Sequence, residues 1–533
     1  MAVAVLAAGL LLPLRGLLVN QGPPMEEGFM LVFPELVLRG ELPNRDFLHL
    51  YGPGGLWVLA GAFKVFGVSL LVERLVAFLQ LAGIVFGVYL IARRWGRLLG
   101  LASAVTSLVI IVPPLGLTAL AWNGAVALGL LALVAALASL DRDQGHTRTV
   151  VAGVLFGFAL LYRLDLVVAV ALGAVGLAWG ARRGFARRLA AGIGLGLSPY
   201  LIHLFTAGPS TVVRGMILDP VVYLRGGRRL PIPPRPGRLD GFLQRAGDLR
   251  RLDWPLPVPR TATQLTIWFF VLLASATFVL VVGWWAFRQD RGSIRARALL
   301  AVGAFGFGLL PQAVQRVDSA HFAWVSCVPV AMLPVAIAEV LRRRRPHGSP
   351  RRQALTSGAA VTAMVLLLFP NFTFRTYADY SVQTFGYHRN SWKIAHDGRI
   401  FFYGRADVAD AAKRLLADLD EIAEPGQKVV VGESDLRRTN YSDAYLYYLL
   451  LPDLVPGTHY IEMDPGMANR EGSGLADDVR AADFVILSSV WDDWREPNDS
   501  RELGSDEPNR VLRKHFCLVG DYDGLYRLYR RCR

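Results

Sequence analysis

The sequence predicts a polytopic α-helical membrane protein carrying a small C-terminal α/β domain. Hydrophobic residues make up 53% of the 533 and the mean hydropathy is +0.36, whereas a soluble chain of this length would divide its apolar residues among separate cores of roughly 100–200 residues. Apolar stretches near the ~20 residues needed to cross a bilayer recur about eleven times. Every second connection between them is basic, and Lys and Arg in short loops stay on the cytoplasmic side.

The stretches lie at about 2–20, 70–92, 98–113, 116–140, 149–163, 164–180, 189–207, 262–287, 298–314, 322–341 and 354–370. The first lacks a charged leader and a small-residue cleavage site and reads as a retained span. The basic connections, placed inside, are Arg93 to Arg97, Arg142 with Arg148, Arg182 to Arg188, Arg288 to Arg297, and Arg342 to Arg345. Residues 21–69, Pro113-Pro114, Arg163 to Asp165, 208–260, Gln315 to His321 and everything after Pro370 then face outward. This divides the chain into a transmembrane domain, 1–370, and an exoplasmic α/β domain, 371–533. Net charge +14 follows from this topology, and no nucleic-acid-binding motif accompanies it.

The first outer connection opens on two acids, Glu26 and Glu27. A carboxylate pair held at a bilayer surface costs free energy unless it is solvated or used. A helical pattern runs from about Glu26 to Arg39, with the acids at the positive end of its dipole and Gly40 as a stop; Pro34 should kink it. Leu56 to Phe66 is apolar but only about 11 residues, too short to span, and reads as an interfacial helix anchored by Trp57 and Lys64.

The 208–260 connection holds ten arginines, no lysine and four aspartates. Arginine forks pair bidentately with phosphate oxygens, whereas lysine offers a point charge. An all-arginine loop at the membrane suggests a phosphate-bearing lipid, although a long translocated loop also tolerates positive charge. Beyond Pro370, Lys428–Gly432 and Asp483–Ser488 read as buried strands, with helical patterns at about 406–424 and 442–451. Tyr441, Tyr445, Tyr447, Tyr448, Tyr460, Trp491 and Trp494 suit either sugar stacking or packing onto the membrane portion. Cys517 and Cys532 can form an exoplasmic disulfide, and Cys327 lies in a span. Arg163 and Asp165 should pair with each other.

The order of these parts resembles the GT-C superfamily of polyprenyl-phosphate-sugar glycosyltransferases, which includes protein mannosyltransferases and the lipid A aminoarabinose transferase. Met25-Glu-Glu-Gly28 looks like that family's Asp-Glu motif. Pro43-Asn-Arg-Asp-Phe47 and Tyr51-Gly-Pro-Gly54 resemble stretches of a bacterial branch. The resemblance implies transfer of a sugar from a polyprenyl-phosphate donor to a glycan, lipid or protein acceptor. Glu26 or Glu27 would accept the proton of the acceptor hydroxyl, and Asp46 would orient the acceptor or bind a cation. Arg45, Arg225, Arg228 and Arg229 would meet the phosphate. Tyr51 would bind substrate, and Arg316 or His321, in the polar cluster Gln315 to His321, would face the lipid phosphate. Many members place another acid, often a metal ligand, in the second outer loop. Here Val112-Pro-Pro-Leu-Gly116 has none, which argues against a divalent cation. The rival reading is a lipid or solute transporter, which should show repeat-related halves and interrupted helices near the midplane; no such repeat is evident.

Overall fold

The computed structural model describes residues 1–141, 146–249, 252–344, 347–387, 391–439 and 441–532. Arg142, Arg250, Arg251 and Arg345 therefore lie outside the described residues. Each of the eleven apolar stretches falls on helix, and prolines explain where one stretch becomes two helices. Pro13 separates Ala2–Leu11 from Leu14–Leu18, Pro199 separates Arg183–Leu197 from Pro199–Ala207, and Pro329 lies in the turn between Ser319–Ser326 and Leu333–Arg344. A proline lacks the N–H that a continuous helix would use. Among the described residues, five helical runs are long and apolar enough to cross a membrane by length and composition: Leu70–Trp95, Ala121–Asp141, Arg183–Ala207 across its Pro199 break, Thr261–Gln289 and Ile294–Gln315.

The two sets of connections gather at different places. On the basic side, Arg94 meets Asp141 at 2.6 Å, the Trp95 indole donates to Glu339 at 3.0 Å, and Arg343 donates to Gln289 at 2.5 Å. Arg297 donates to the carbonyls of Leu177 and Trp179. The outward set gathers around a single cavity, lined by Glu26, Leu115, Arg163, Arg228, Arg316 and Tyr441. Five separate connections and the C-terminal domain thus supply one site.

Close helix crossing depends on small residues. His146–Tyr162 carries Gly153 and Gly157, and Arg183–Leu197 carries Gly192 and Gly196, both pairs at four-residue spacing. A Cβ on Gly153 would lie 2.7 Å from the Gly192 Cα, and one on Gly157 2.7 Å from the Gly196 Cα. With apolar lipid tails outside, such backbone approach is what holds membrane helices together.

The C-terminal domain begins with a hairpin, β1 (Trp392–His396) and β2 (Arg399–Tyr403). A five-stranded sheet follows in the order β4-β3-β5-β7-β6, with β3 Lys428–Glu433, β4 Val455–Pro456, β5 Phe484–Ser488, β6 Phe516–Tyr522 and β7 Tyr526–Arg531. β3 runs parallel to β4 and β5, and β7 antiparallel to β5 and β6. Cys517 and Cys532 are joined in a disulfide across the β6–β7 edge. The domain sits directly on the first outer connection. Arg399 forks onto Glu35 at 2.8 and 3.1 Å, and the Tyr445 N–H donates to the Pro24 carbonyl at 3.1 Å. Gly28 permits this contact: a Cβ there would lie 2.4 Å from the Tyr445 nitrogen.

Candidate active site

Helix Glu26–Leu38 starts at the cavity floor, and its first residue points inward. Glu26 keeps part of its surface open to the cavity and accepts a hydrogen bond from the Tyr441 hydroxyl. Burial raises the Glu26 pKa above the usual carboxylate range; the Tyr441 hydrogen bond and the nearby guanidiniums of Arg228 and Arg316 pull the other way without cancelling it. A carboxylate so placed is a stronger base than one in water.

Arg228 and Arg316 form the opposite wall. Arg228 donates to Glu462 at 2.6 Å and to Asp464 at 3.0 Å. Arg316 donates to Asp318 at 2.9 Å, to Glu496 at 2.8 and 2.5 Å, and to the Arg228 carbonyl at 3.0 Å. Burial and the adjoining Asp464 carboxylate push the Glu462 pKa up. Asp318 also holds His321 at 2.9 Å, and the His321 ring packs on Trp324 with centroids 4.8 Å apart. Arg163 pairs with Asp165 at 3.0 and 2.5 Å and lies over the Tyr51 ring at 4.1 Å. Arg163 and Asp165 therefore pair as the sequence suggests.

A second cavity, of about 560 Å³, adjoins the first and shares Tyr51, Arg163, Arg228, Arg316 and His321 with it. Arg225 and Arg229 line it as well, both exposed. Its rim is the segment Arg214–Tyr223, whose Ile217, Leu218, Val221 and Val222 are 44–61% exposed. Cationic forks beside an uncovered apolar face suit an amphiphile with an anionic head.

No protein-family model matches the sequence, and no curated protein matches it. Solved structures do. The crystal structure of ArnT from Cupriavidus metallidurans bound to undecaprenyl phosphate superimposes with TM-score 0.51 at 14% identity, covering 99% of this chain and 97% of that one. The chain has the GT-C fold. The Archaeoglobus fulgidus oligosaccharyltransferase in complex with Zn and sulfate, TM-score 0.49 at 13% identity, covers 96% of this chain and 71% of its own.

Within this GT-C fold, Glu26, Tyr51, Arg228, Arg316 and His321 come together around the first cavity, and Arg225 and Arg229 line the second. Three residues singled out in the sequence do not reach either. Glu27 turns away from the site, as neighbouring helix positions must; both its oxygens are held by Arg74 at 2.7 and 2.9 Å, with the pair 1–2% exposed. Asp46 and Arg45 form a turn of their own. Asp46 accepts from the Leu42 N–H at 2.8 Å and from Arg45 at 2.9 and 2.8 Å. Its hydrogen bond from Arg45 holds its pKa below the usual carboxylate range, leaving a weak base outside the cavity.

Four residues that the sequence reading left out of the site line it: Tyr441, Glu462, Asp464 and Glu496. The chain segment Ile461-Glu-Met-Asp464 offers two acids at alternate positions, a signal that gains meaning only with Arg228 beside it. Arg228 holds one oxygen of each of Glu462 and Asp464, and their second oxygens, Oε2 and Oδ2, are buried without a hydrogen-bond partner among the described residues. Among the described residues, the one group of three ligand-type side chains with donor atoms within 4.8 Å of one another is His396, Asp397 and Asp420, none of which lines the cavity.

Proposed function

We propose that the chain is a glycosyltransferase that moves a sugar from a polyprenyl-phosphate donor to an acceptor hydroxyl on the exoplasmic face. The observation that carries this reading is the placement of Glu26 in a cavity walled by Arg228 and Arg316, continuous with an arginine-lined cavity beside an exposed apolar helix face. Likeness to ArnT, whose crystal structure holds undecaprenyl phosphate, supports it. The β6–β7 disulfide supports an exoplasmic C-terminal domain, since such bonds persist in oxidising compartments.

In this mechanism the acceptor hydroxyl gives its proton to Glu26 as its oxygen bonds to the anomeric carbon. The bond from that carbon to the phosphate oxygen breaks, and the lipid phosphate departs with one more negative charge. Arg228 and Arg316 stabilise that charge in a partly dehydrated cavity, where an aligned guanidinium is worth far more than in water. Arg225 and Arg229 hold the phosphate on arrival. A hexose or a pentose satisfies the same chemistry, as does a glycan, lipid or protein acceptor.

The test is Glu26→Gln, which keeps shape and removes the basic oxygen. Membranes supplied with a panel of radiolabelled polyprenyl-phosphate sugars should label an acceptor with the natural chain and lose 10²-fold or more of that rate with the variant, while undecaprenyl-phosphate affinity stays within about twofold. Full transfer by the variant would remove Glu26 from the mechanism.

A further inference from the structure

A transfer between two substrates needs two approaches to the base, and the arginine-lined cavity supplies one. A third cavity, of about 360 Å³, meets the Glu26 cavity along Leu115, Phe242, Leu243 and Trp494 and shares no residue with the arginine-lined cavity. Glu26 thus stands between two openings that differ in their walls, although Arg245 and Arg405 line the third as well. The third has aromatic walls: Phe242, Tyr380, Tyr403, Trp491 and Trp494 are five of its lining residues.

These rings are fixed relative to the base. Tyr441, the donor to Glu26, packs on Trp491 with centroids 4.4 Å apart. The Trp491 indole N–H is held by Asp443 at 3.0 Å, and Asp443 also accepts from Ser488 and Tyr526 at 2.7 and 2.9 Å. Phe242 stands nearly perpendicular to both Trp491 and Trp494, at 5.6 and 4.9 Å. Trp494 is half-buried, Arg245 lies over its ring at 5.2 Å, and Asp493 is exposed at the rim.

Aromatic faces with scattered polar groups match a saccharide, whose ring presents an apolar C–H face and a hydroxyl-bearing edge. A peptide recognised by strand addition would need a free sheet edge; β4 and β6, the edges of the five-stranded sheet, do not line this cavity, and β2, which reaches it through Tyr403, already accepts at its Phe402 carbonyl from the Gly22 N–H at 3.2 Å. We propose that the third cavity is the acceptor subsite and that the acceptor is a saccharide, stacked on Trp494 with Asp493 and Arg245 meeting its hydroxyls. This rests on the glycosyltransferase reading above.

The test uses the full-length protein in detergent and a panel of gluco-, galacto-, manno- and N-acetylglucosamine oligosaccharides, with binding read by saturation-transfer NMR. At least one should bind both the natural chain and Glu26→Gln. Trp494→Ala should weaken that binding about tenfold, the loss of one aromatic stacking contact of about 1–1.5 kcal/mol, and Trp494→Phe should restore most of it, with undecaprenyl-phosphate affinity unchanged in both. Absence of binding across the panel, equal binding by Trp494→Ala, or sugar transfer to a serine- or threonine-containing peptide instead would overturn the proposal. Failure of the parent reading looks different: saccharide binding would persist while undecaprenyl phosphate failed to bind and Glu26→Gln altered nothing.

Discussion

Glu26 and Glu27 are neighbours in sequence and opposites in environment. Glu26 faces a cavity with a phenol on one oxygen, and Glu27 is sealed against Arg74. The roles can be separated by what each substitution harms. Tyr441→Phe removes a hydrogen bond that lowers the Glu26 pKa, so that pKa should rise further. A base works unprotonated, and activity falls as pH drops through its pKa; the acidic limb of the pH–rate profile should therefore move to higher pH in this variant, with the rate at the plateau less affected. A limb that moves down or stays would separate Tyr441 from the base. Glu27→Gln should instead strip buried Arg74 of the carboxylate that holds its fork, leaving only the neighbouring Glu73, at a cost of up to about 3–5 kcal/mol, read as a lower Tm in detergent and a lower yield in membranes. The partners that set these two acids apart could not be read from the sequence, because Arg74 sits in an apolar run and Tyr441 lies 415 residues from Glu26.

Among the elements, the apolar stretches were legible because length and hydropathy report directly on a bilayer, and the two short helices of the first outer connection were legible from caps and periodicity. The buried strands β3 and β5 also announced themselves as runs of Val, Ile and Leu. β6 and β7 did not: β6, at the sheet edge, leaves Cys517, Leu518, Val519 and Asp521 exposed, and β7, although paired on both sides, carries three arginines among its six residues, Tyr526-Arg-Leu-Tyr-Arg-Arg531, so neither reads as an apolar run. The glycine-lined helix crossing supplies a test at this scale. Gly192→Leu should force His146–Tyr162 and Arg183–Leu197 apart at a cost of about 1–3 kcal/mol, whereas Gly194→Leu, whose Cβ meets nothing within 4 Å, should be tolerated. Equal Tm values for the two variants would show that the crossing is not close-packed.

For the whole molecule, the alternating basic connections fixed two sets of loops, and the fold gathers each set at its own place. The orientation this implies can be measured without background, because Cys327 is buried and Cys517 and Cys532 are bonded to each other. A cysteine introduced at Asp499 should react with an impermeant maleimide on intact cells, and one at Arg344 should react only after permeabilisation. The opposite pattern would invert the topology. What sequence alone could not supply was the convergence itself, since Arg228 meets Glu462 across 234 positions and Arg316 meets Glu496 across 180.

The hydrogen bond between Tyr441 and Glu26 joins the start of the chain to its last quarter, and that has a consequence for biosynthesis. Glu26 leaves the ribosome early and Tyr441 late, with Glu462, Asp464 and Glu496 later still. Until those residues arrive, Arg228 and Arg316 lack their carboxylate partners and the cavity lacks a wall. On the glycosyltransferase reading, a chain halted after residue 370 should therefore transfer no sugar. Completion of synthesis is then the step that closes the cavity.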